Sequence, residues 1–261
     1  MSSRRPVAAA NWKMNLLASD ARTFGEALRT ADLSDVDVLF FPPATVAATL
    51  VQEVASTTVE VGGQDLHAAD SGAHTGDLSA AHWRDAGCRW VLCGHSERRA
   101  DHGEGDEAVG AKVAAGLRGD LEVMLCLGET LEEREAEATQ AVLERQLRVG
   151  WNAARRAGAT DGDVGRLAIA YEPVWAIGTG KTATPELAQD AHAFLRSLAG
   201  DLFGAEAAAG LRLLYGGSVK PGNCRELIVQ SDIDGFLVGG ASLDPGSFLD
   251  IIAGCAQRPP S

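Results

Sequence analysis

The chain has 261 residues, of which 46% are hydrophobic and 23% charged, and it carries a formal charge of −13. That length suits one α/β barrel, for which about 250 residues is typical, better than two ordinary domains. The negative charge opposes binding to nucleic-acid phosphates and no apolar run approaches the roughly 18 residues of a membrane helix, so neither nucleic acid nor a membrane is an expected partner.

The first residues contain the pair Arg4 and Arg5, as some export signals do, but only four apolar residues follow before polar Asn11, and a cytoplasmic protein is expected. Residues 7–10 read as a short buried strand, with Asn11 and Lys13 in the polar loop after it and a helix-period stretch over 21–31. Further strands are predicted over 36–41 and 58–61, and then over 90–93, where Gly94 leads into His95, Ser96 and Glu97. Ser96 is expected to cap a short helical turn. A helix over 104–117, a strand over 121–127 that includes Cys126, and a helix over 131–157 follow.

The next strand, 167–171, ends at Glu172, and Pro173 stops the ladder. Val174, Trp175, Ala176 and Ile177 read as the apolar tip of a flap, and Gly178, Thr179 and Gly180, ahead of Lys181, as the backbone that lets it fold down. A helix over 185–202, a strand over 211–215 ending in Gly216, Gly217 and Ser218, and a strand over 235–238 ending in Gly239 and Gly240 complete the pattern. Strand and helix thus alternate eight times, which predicts a closed (β/α)8 barrel. A doubly wound sheet is the structural alternative, disfavoured because no Gly-x-Gly-x-x-Gly follows the first strand.

In such barrels the carboxyl ends of the strands carry the chemistry, and Asn11, Lys13, His95, Glu172, Ser218, Gly239 and Gly240 all fall there. A carboxylate shielded by a flap can remove a carbon-bound proton, so Glu172 is the candidate base. His95 stands where helix N–H groups would lower its pKa, leaving a neutral ring that passes a proton between two oxygens. Lys13 would supply fixed positive charge, steadied by Glu97. Gly178, Ser218, Gly239 and Gly240 suit the close backbone approach that a phosphate requires. The odd set Cys88, Cys93, Cys126, Cys224 and Cys255 lacks Cys-x-x-Cys spacing and the histidines lack ligand spacing, so neither a disulfide nor a metal is expected.

Five segments in order, Asn11-Trp12-Lys13-Met14-Asn15, Cys93-Gly94-His95-Ser96-Glu97-Arg98-Arg99, the run from Tyr171 to Lys181, Tyr215-Gly216-Gly217-Ser218-Val219 and the run from Gly235 to Leu243, resemble the triosephosphate isomerase family across nearly the whole chain. The acid–base pattern of that family is a worked example in general accounts of pKa tuning. The resemblance implies one barrel domain over 1–261 and a cofactor-free interconversion of dihydroxyacetone phosphate and D-glyceraldehyde 3-phosphate through a cis-enediolate. It implies Glu172, His95, Lys13 and Asn11 as catalytic, with Ser96, Glu97 and Cys126 in support and a lid from Pro173 to Lys181. It also implies a homodimer in which Thr75, Gly76 and Asp77 meet a neighbour, Asp77 near Arg98. An isomerase of four-carbon sugar phosphates, or a non-catalytic sugar-phosphate sensor, are the alternatives. Two positions depart from the family pattern: His74 stands where an aromatic residue is common, and Asp65 where Asn is.

Overall fold

The computed structural model describes residues 4–177 and 183–259. Eight parallel strands, β1 (Val7–Asn11), β2 (Asp37–Phe41), β3 (Glu60–Gly63), β4 (Trp90–Cys93), β5 (Glu122–Leu127), β6 (Leu167–Tyr171), β7 (Arg212–Tyr215) and β8 (Gly235–Val238), pair in sequence order. Val7 pairs with both Asp37 and Gly235, which closes the sheet into the predicted (β/α)8 barrel. Alternate residues of each strand face opposite ways. Val7, Ala9, Leu39, Phe41, Met124, Cys126, Ala168, Ala170 and Leu214 fill the barrel, while Ala8, Phe40, Val123, Ile169 and Leu213 meet the surrounding helices. Both faces of the strands are therefore dry along most of their length, and the charged residues Asp37, Glu60, Glu122 and Arg212 stand half-buried at the amino-terminal ends of β2, β3, β5 and β7.

The third strand lies two residues later than the sequence predicts, because Gly62 and Gly63 continue it. Glycine is a poor strand former, but space decides here. A Cβ on Gly62 would stand 2.5 Å from the Phe41 ring, and one on Gly63 2.3 Å from Trp83. The long helix predicted over 131–157 is two helices, Leu131–Glu135 and Thr139–Arg156. Glu137 takes a left-handed conformation with φ 57°, which ends the first helix. Among the described residues no helix is long and apolar enough to cross a membrane.

At the amino-terminal end of β8 lies Asp234, fully buried. Its carboxylate accepts from Arg4 Nε at 2.7 Å, Arg196 Nη2 at 2.7 Å, Arg258 Nη2 at 2.6 Å and the Leu213 N–H at 2.9 Å. One acid thus ties the first and last described segments of the chain to a helix and a strand. An uncompensated buried charge is costly, and Asp234 lies at the opposite end of β8 from the carboxyl ends of the strands. Replacing Asp234 with Asn should lower stability by about 3–5 kcal/mol in urea unfolding, while turnover per folded molecule stays unchanged.

Candidate functional site

The carboxyl ends of the strands surround a cavity of about 590 Å³ lined by Asn11, Lys13, His95, Glu172, Ser218, Gly239 and Gly240, with Ile177 at its edge. Asn11 continues the inward parity of Val7 and Ala9 and is buried. Its Oδ1 accepts the Lys13 N–H at 3.0 Å, and this local bond supports the left-handed turn at Lys13, φ 50°. Gln64 donates from Nε2 to the carbonyls of Lys13 and Phe41, both at 2.8 Å, tying that turn to β2. Lys13 Nζ donates to Glu97 Oε1 at 2.5 Å, and its side chain passes 3.4 Å from where a Cβ on Gly239 would stand. Pairing with Glu97 is what the sequence suggests; the seat against Gly239 is added by the fold.

Glu172 follows inward-facing Ala168 and Ala170 and is only 2% exposed. Its Oε2 accepts the Ser96 N–H at 2.9 Å, and its Oε1 lies 2.9 Å from His95 Nε2. The helix cap differs from the expected one. His95 itself caps the helix Ser96–His102, with Nδ1 accepting the Glu97 N–H at 3.2 Å, and Ser96 is the first helical residue. Gly94, at φ 75°, lets the chain turn from β4 into this helix, and a Cβ there would stand 2.7 Å from Val109. Gly216 is a glycine for a reason unrelated to phosphate: a Cβ would meet Glu172 Cγ at 2.9 Å.

The pairing alters the expected acid–base balance. Burial disfavours charge on His95, but the Glu172 carboxylate against Nε2 outweighs it and raises the pKa of the ring, opposite to the lowering predicted from the helix end alone. Burial likewise pushes Glu172 up, yet the His95 ring and the Ser96 N–H hold it below the usual glutamate value. In this conformation the carboxylate is a partnered anion and a weak base. The shifts belong to the pair.

Val174–Ala176 forms a 3₁₀ turn. Ala176 is buried, and Trp175 Nε1 donates to Glu129 Oε1 at 2.9 Å with Arg134 over its ring. Fully buried Glu129 also accepts from Tyr171 OH at 3.0 Å, so one carboxylate holds the residue before Glu172 and a residue after it. The remaining lid positions Gly178, Thr179, Gly180 and Lys181 lie outside the described residues. On the opposite side of the cavity, Asn223 Nδ2 holds the Ser218 carbonyl at 3.0 Å, and the Ser242 hydroxyl lies 2.7 Å from the Gly239 carbonyl within the turn Gly240–Ser242.

Thr75, Gly76 and Asp77 stand apart from this cavity, on an exposed loop with His74. Arg98 is engaged within its own chain by Asp65 at 3.0 Å and Glu104 at 2.8 Å. Lys112 also pairs with Asp65 at 2.7 Å, against a burial that holds this carboxyl above its usual pKa. Cys126 lies inside the barrel, where burial, with the nearby Glu172 charge, pushes its thiol far above the ordinary range. His67, His74 and Asp77 have donor atoms within 4.8 Å of one another. His67 Nδ1 accepts the Ala69 N–H at 3.0 Å, so a neutral ring keeps its proton on Nε2, the atom 3.9 Å from Asp77. A metal ligand needs that nitrogen bare, and the arrangement fits a metal poorly. Sequence reasoning missed Gln64, Glu129 and Gln146; polar residues beside strand ends or on inward helix positions were the available signal.

Since the Glu172 carboxylate raises the pKa of His95, replacing Glu172 with Gln should move the His95 titration midpoint to lower pH in an NMR experiment. An unchanged or higher midpoint would remove that carboxylate as the cause.

A sequence model of the triosephosphate isomerase family matches residues 6–255. The triosephosphate isomerase of Alkalilimnicola ehrlichii is 51% identical over 257 residues, covering 98% of this chain and all of that protein. That of Symbiobacterium thermophilum is 49% identical over 256 residues, covering 97% of this chain and 98% of the relative, and that of Rhodopirellula baltica 46% over 252, covering 96% and 97%. With the closed eightfold barrel, the polar cluster at its carboxyl rim and similarity along almost its full length, the chain belongs to the triosephosphate isomerase family.

Proposed function

We propose that the chain interconverts dihydroxyacetone phosphate and D-glyceraldehyde 3-phosphate through a cis-enediolate, with Glu172 moving the carbon-bound proton and His95 the oxygen-bound one. The observation that carries this reading is the Glu172 carboxylate, 2% exposed and 2.9 Å from His95 Nε2, in the same cavity as Lys13. Family membership makes the chain an aldose–ketose isomerase. The reaction moves one hydrogen between adjacent carbons and leaves the molecule's overall oxidation state unchanged, so no external hydride acceptor enters it.

The resting contacts suggest how the step begins. Both Glu172 oxygens are occupied, by the Ser96 N–H and by His95, so the carboxylate becomes a competent base once the substrate oxygens take over the His95 Nε2–H. The carbon-bound proton then passes to Glu172, leaving a neutral acid and an enediolate. Neutralising Glu172 also removes the charge that raised the His95 pKa. Burial then favours a neutral ring, and Nδ1, which accepts the Glu97 N–H, carries no proton. His95 can donate from Nε2 to one oxygen and recover a proton from its neighbour, while Lys13 and Asn11 steady the oxyanion. Return of the Glu172 proton to the adjacent carbon completes the exchange. Gly239, Gly240, Ser218 and Gly178 are the proposed phosphate seat, with Asn11 and Lys13 also binding substrate; Ser96, Glu97 and Cys126 support the catalytic groups, and residues 173–181 cover the site.

The same reading includes a cytoplasmic two-fold homodimer. Met14 is 96% exposed and Leu17 70%, an apolar surface beside Lys13 that a second copy would cover. Loop 72–77, with Thr75, Gly76 and Asp77 exposed, is the proposed element that enters there, bringing Asp77 toward the neighbour's Arg98.

Replacing Glu172 with Gln should reduce turnover by at least about 10²-fold while a phosphorylated substrate analogue still binds; near-normal turnover in a coupled assay would remove the base assignment. For the dimer, Thr75→Glu should bury an unpaired carboxylate beside the neighbour's Glu97, and sedimentation and turnover should show association and activity falling together. A fully active monomeric variant would refute the assembly.

A further inference from the structure

Gln146 lies on the helix Thr139–Arg156, outside the substrate cavity, and is 5% exposed. Its carboxamide makes two hydrogen bonds to a single residue. Oε1 accepts the Gly128 N–H at 2.8 Å, and Nε2 donates to the Gly128 carbonyl at 3.0 Å. A primary amide offers a neutral donor and acceptor in one plane, which matches the two main-chain groups of a residue that has left its sheet. Gly128 is such a residue, since the β5–β6 pairing ends with Leu127 opposite Tyr171.

The clamped residue backs directly onto Glu172. A Cβ on Gly128 would stand 1.7 Å from the Glu172 carbonyl oxygen, so the two main chains are in contact. On either side, the Glu172 N–H donates to the Leu127 carbonyl at 2.7 Å and the Val174 N–H to the Glu129 carbonyl at 3.1 Å. Residues 127–129 thus form a rail from which Glu172 hangs, pinned at its middle by Gln146. Behind it is a second cavity of about 300 Å³, bordered by Ser96, Gly128, Gln146 and Glu172. Without the clamp, the half-buried Gly128 peptide would have two polar groups to satisfy and room in which to move.

We infer that Gln146 is a positioning residue for the carboxylate of Glu172, acting through the Gly128 peptide. The inference rests on the reading of Glu172 as the group that moves the carbon-bound proton. Among the described residues no hydrogen bond joins this clamp to the β7 and β8 loops proposed to hold phosphate, so the effect falls on kcat more than on binding.

Two variants of the full-length enzyme test it. Gln146→Leu removes both hydrogen bonds, and kcat should fall by about tenfold or more, since small misplacements of a reacting group are costly, while KM and inhibition by inorganic phosphate stay within about twofold. Gln146→Glu keeps the acceptor, but an ionised carboxylate opposes the Gly128 carbonyl. The protonated acid restores the donor, so the ratio of variant to wild-type kcat should rise as pH falls. A folded Gln146→Leu enzyme with wild-type kcat, or one whose KM and phosphate inhibition worsen as much as kcat, overturns the proposal. If that variant does not fold, a ratio independent of pH for Gln146→Glu overturns it instead. Glu172→Gln, measured alongside, separates the two readings. Lost turnover there with unchanged kcat in the Gln146 variants refutes the positioning role alone, and retained turnover refutes the base on which it rests.

Discussion

A carboxylate withdrawn from water must find partners, and the partners of Glu172 organise the catalytic end of this barrel. The Ser96 N–H and the His95 ring satisfy it, and both come from the turn that follows β4. That turn exists because Gly94 adopts a positive φ where a Cβ would also press on Val109, and because His95 caps the helix after it. The ring is held by its Nδ1, so Nε2 faces the carboxylate. One hydrogen-bonded pair therefore sets the orientation of both proposed proton-moving groups and the direction in which each is shifted.

The same carboxylate explains several small residues around it. Gly216 leaves space for its methylene groups and Gly128 for its carbonyl. Glu129 then takes the hydroxyl of Tyr171 and the indole of Trp175, so that polar groups grip the chain on both sides of Glu172. The backbone around the proposed base is thereby held more firmly than its side chain, which has two partners to exchange for substrate. A rigid main chain with an exchangeable side-chain hydrogen bond is the arrangement that preorganisation calls for.

Charge is distributed on a different principle. The chain carries −13 overall, yet cations enter the buried or half-buried regions in company. Lys13 sits with Glu97, Arg98 and Lys112 with Asp65 and Glu104, and three arginines with Asp234. Buried charges of this kind are specific in geometry and weak in net energy, so they register elements more than they stabilise them. The cluster at Asp65 occupies Arg98, a residue expected to face a neighbour, which means that any partner meets a side chain already oriented.

Much of this molecule was legible in its residue order. Eight apolar runs announced eight strands, and polar or glycine residues just past them marked the rim, because burial periodicity and backbone sterics act over a few residues. Asn11, His95, Glu172 and the Gly239–Gly240 pair were found by that adjacency. Where local preference and space disagreed, as at Gly62 and Gly63 in β3 or at the left-handed Glu137, the neighbours decided and the predicted bounds were displaced. The sign of the His95 shift was likewise out of reach, since its cause stands 77 residues away in the chain, at Glu172, and outweighs the helix end beside it. The Gln146–Gly128 clamp and the gathering of Arg4, Arg196 and Arg258 on Asp234 were equally invisible. Sequence alone determined the elements, their order and the rim on which chemistry would fall. Only barrel closure, with its register and inward parity, decided which polar groups meet, because those encounters join residues that no local interaction brings together.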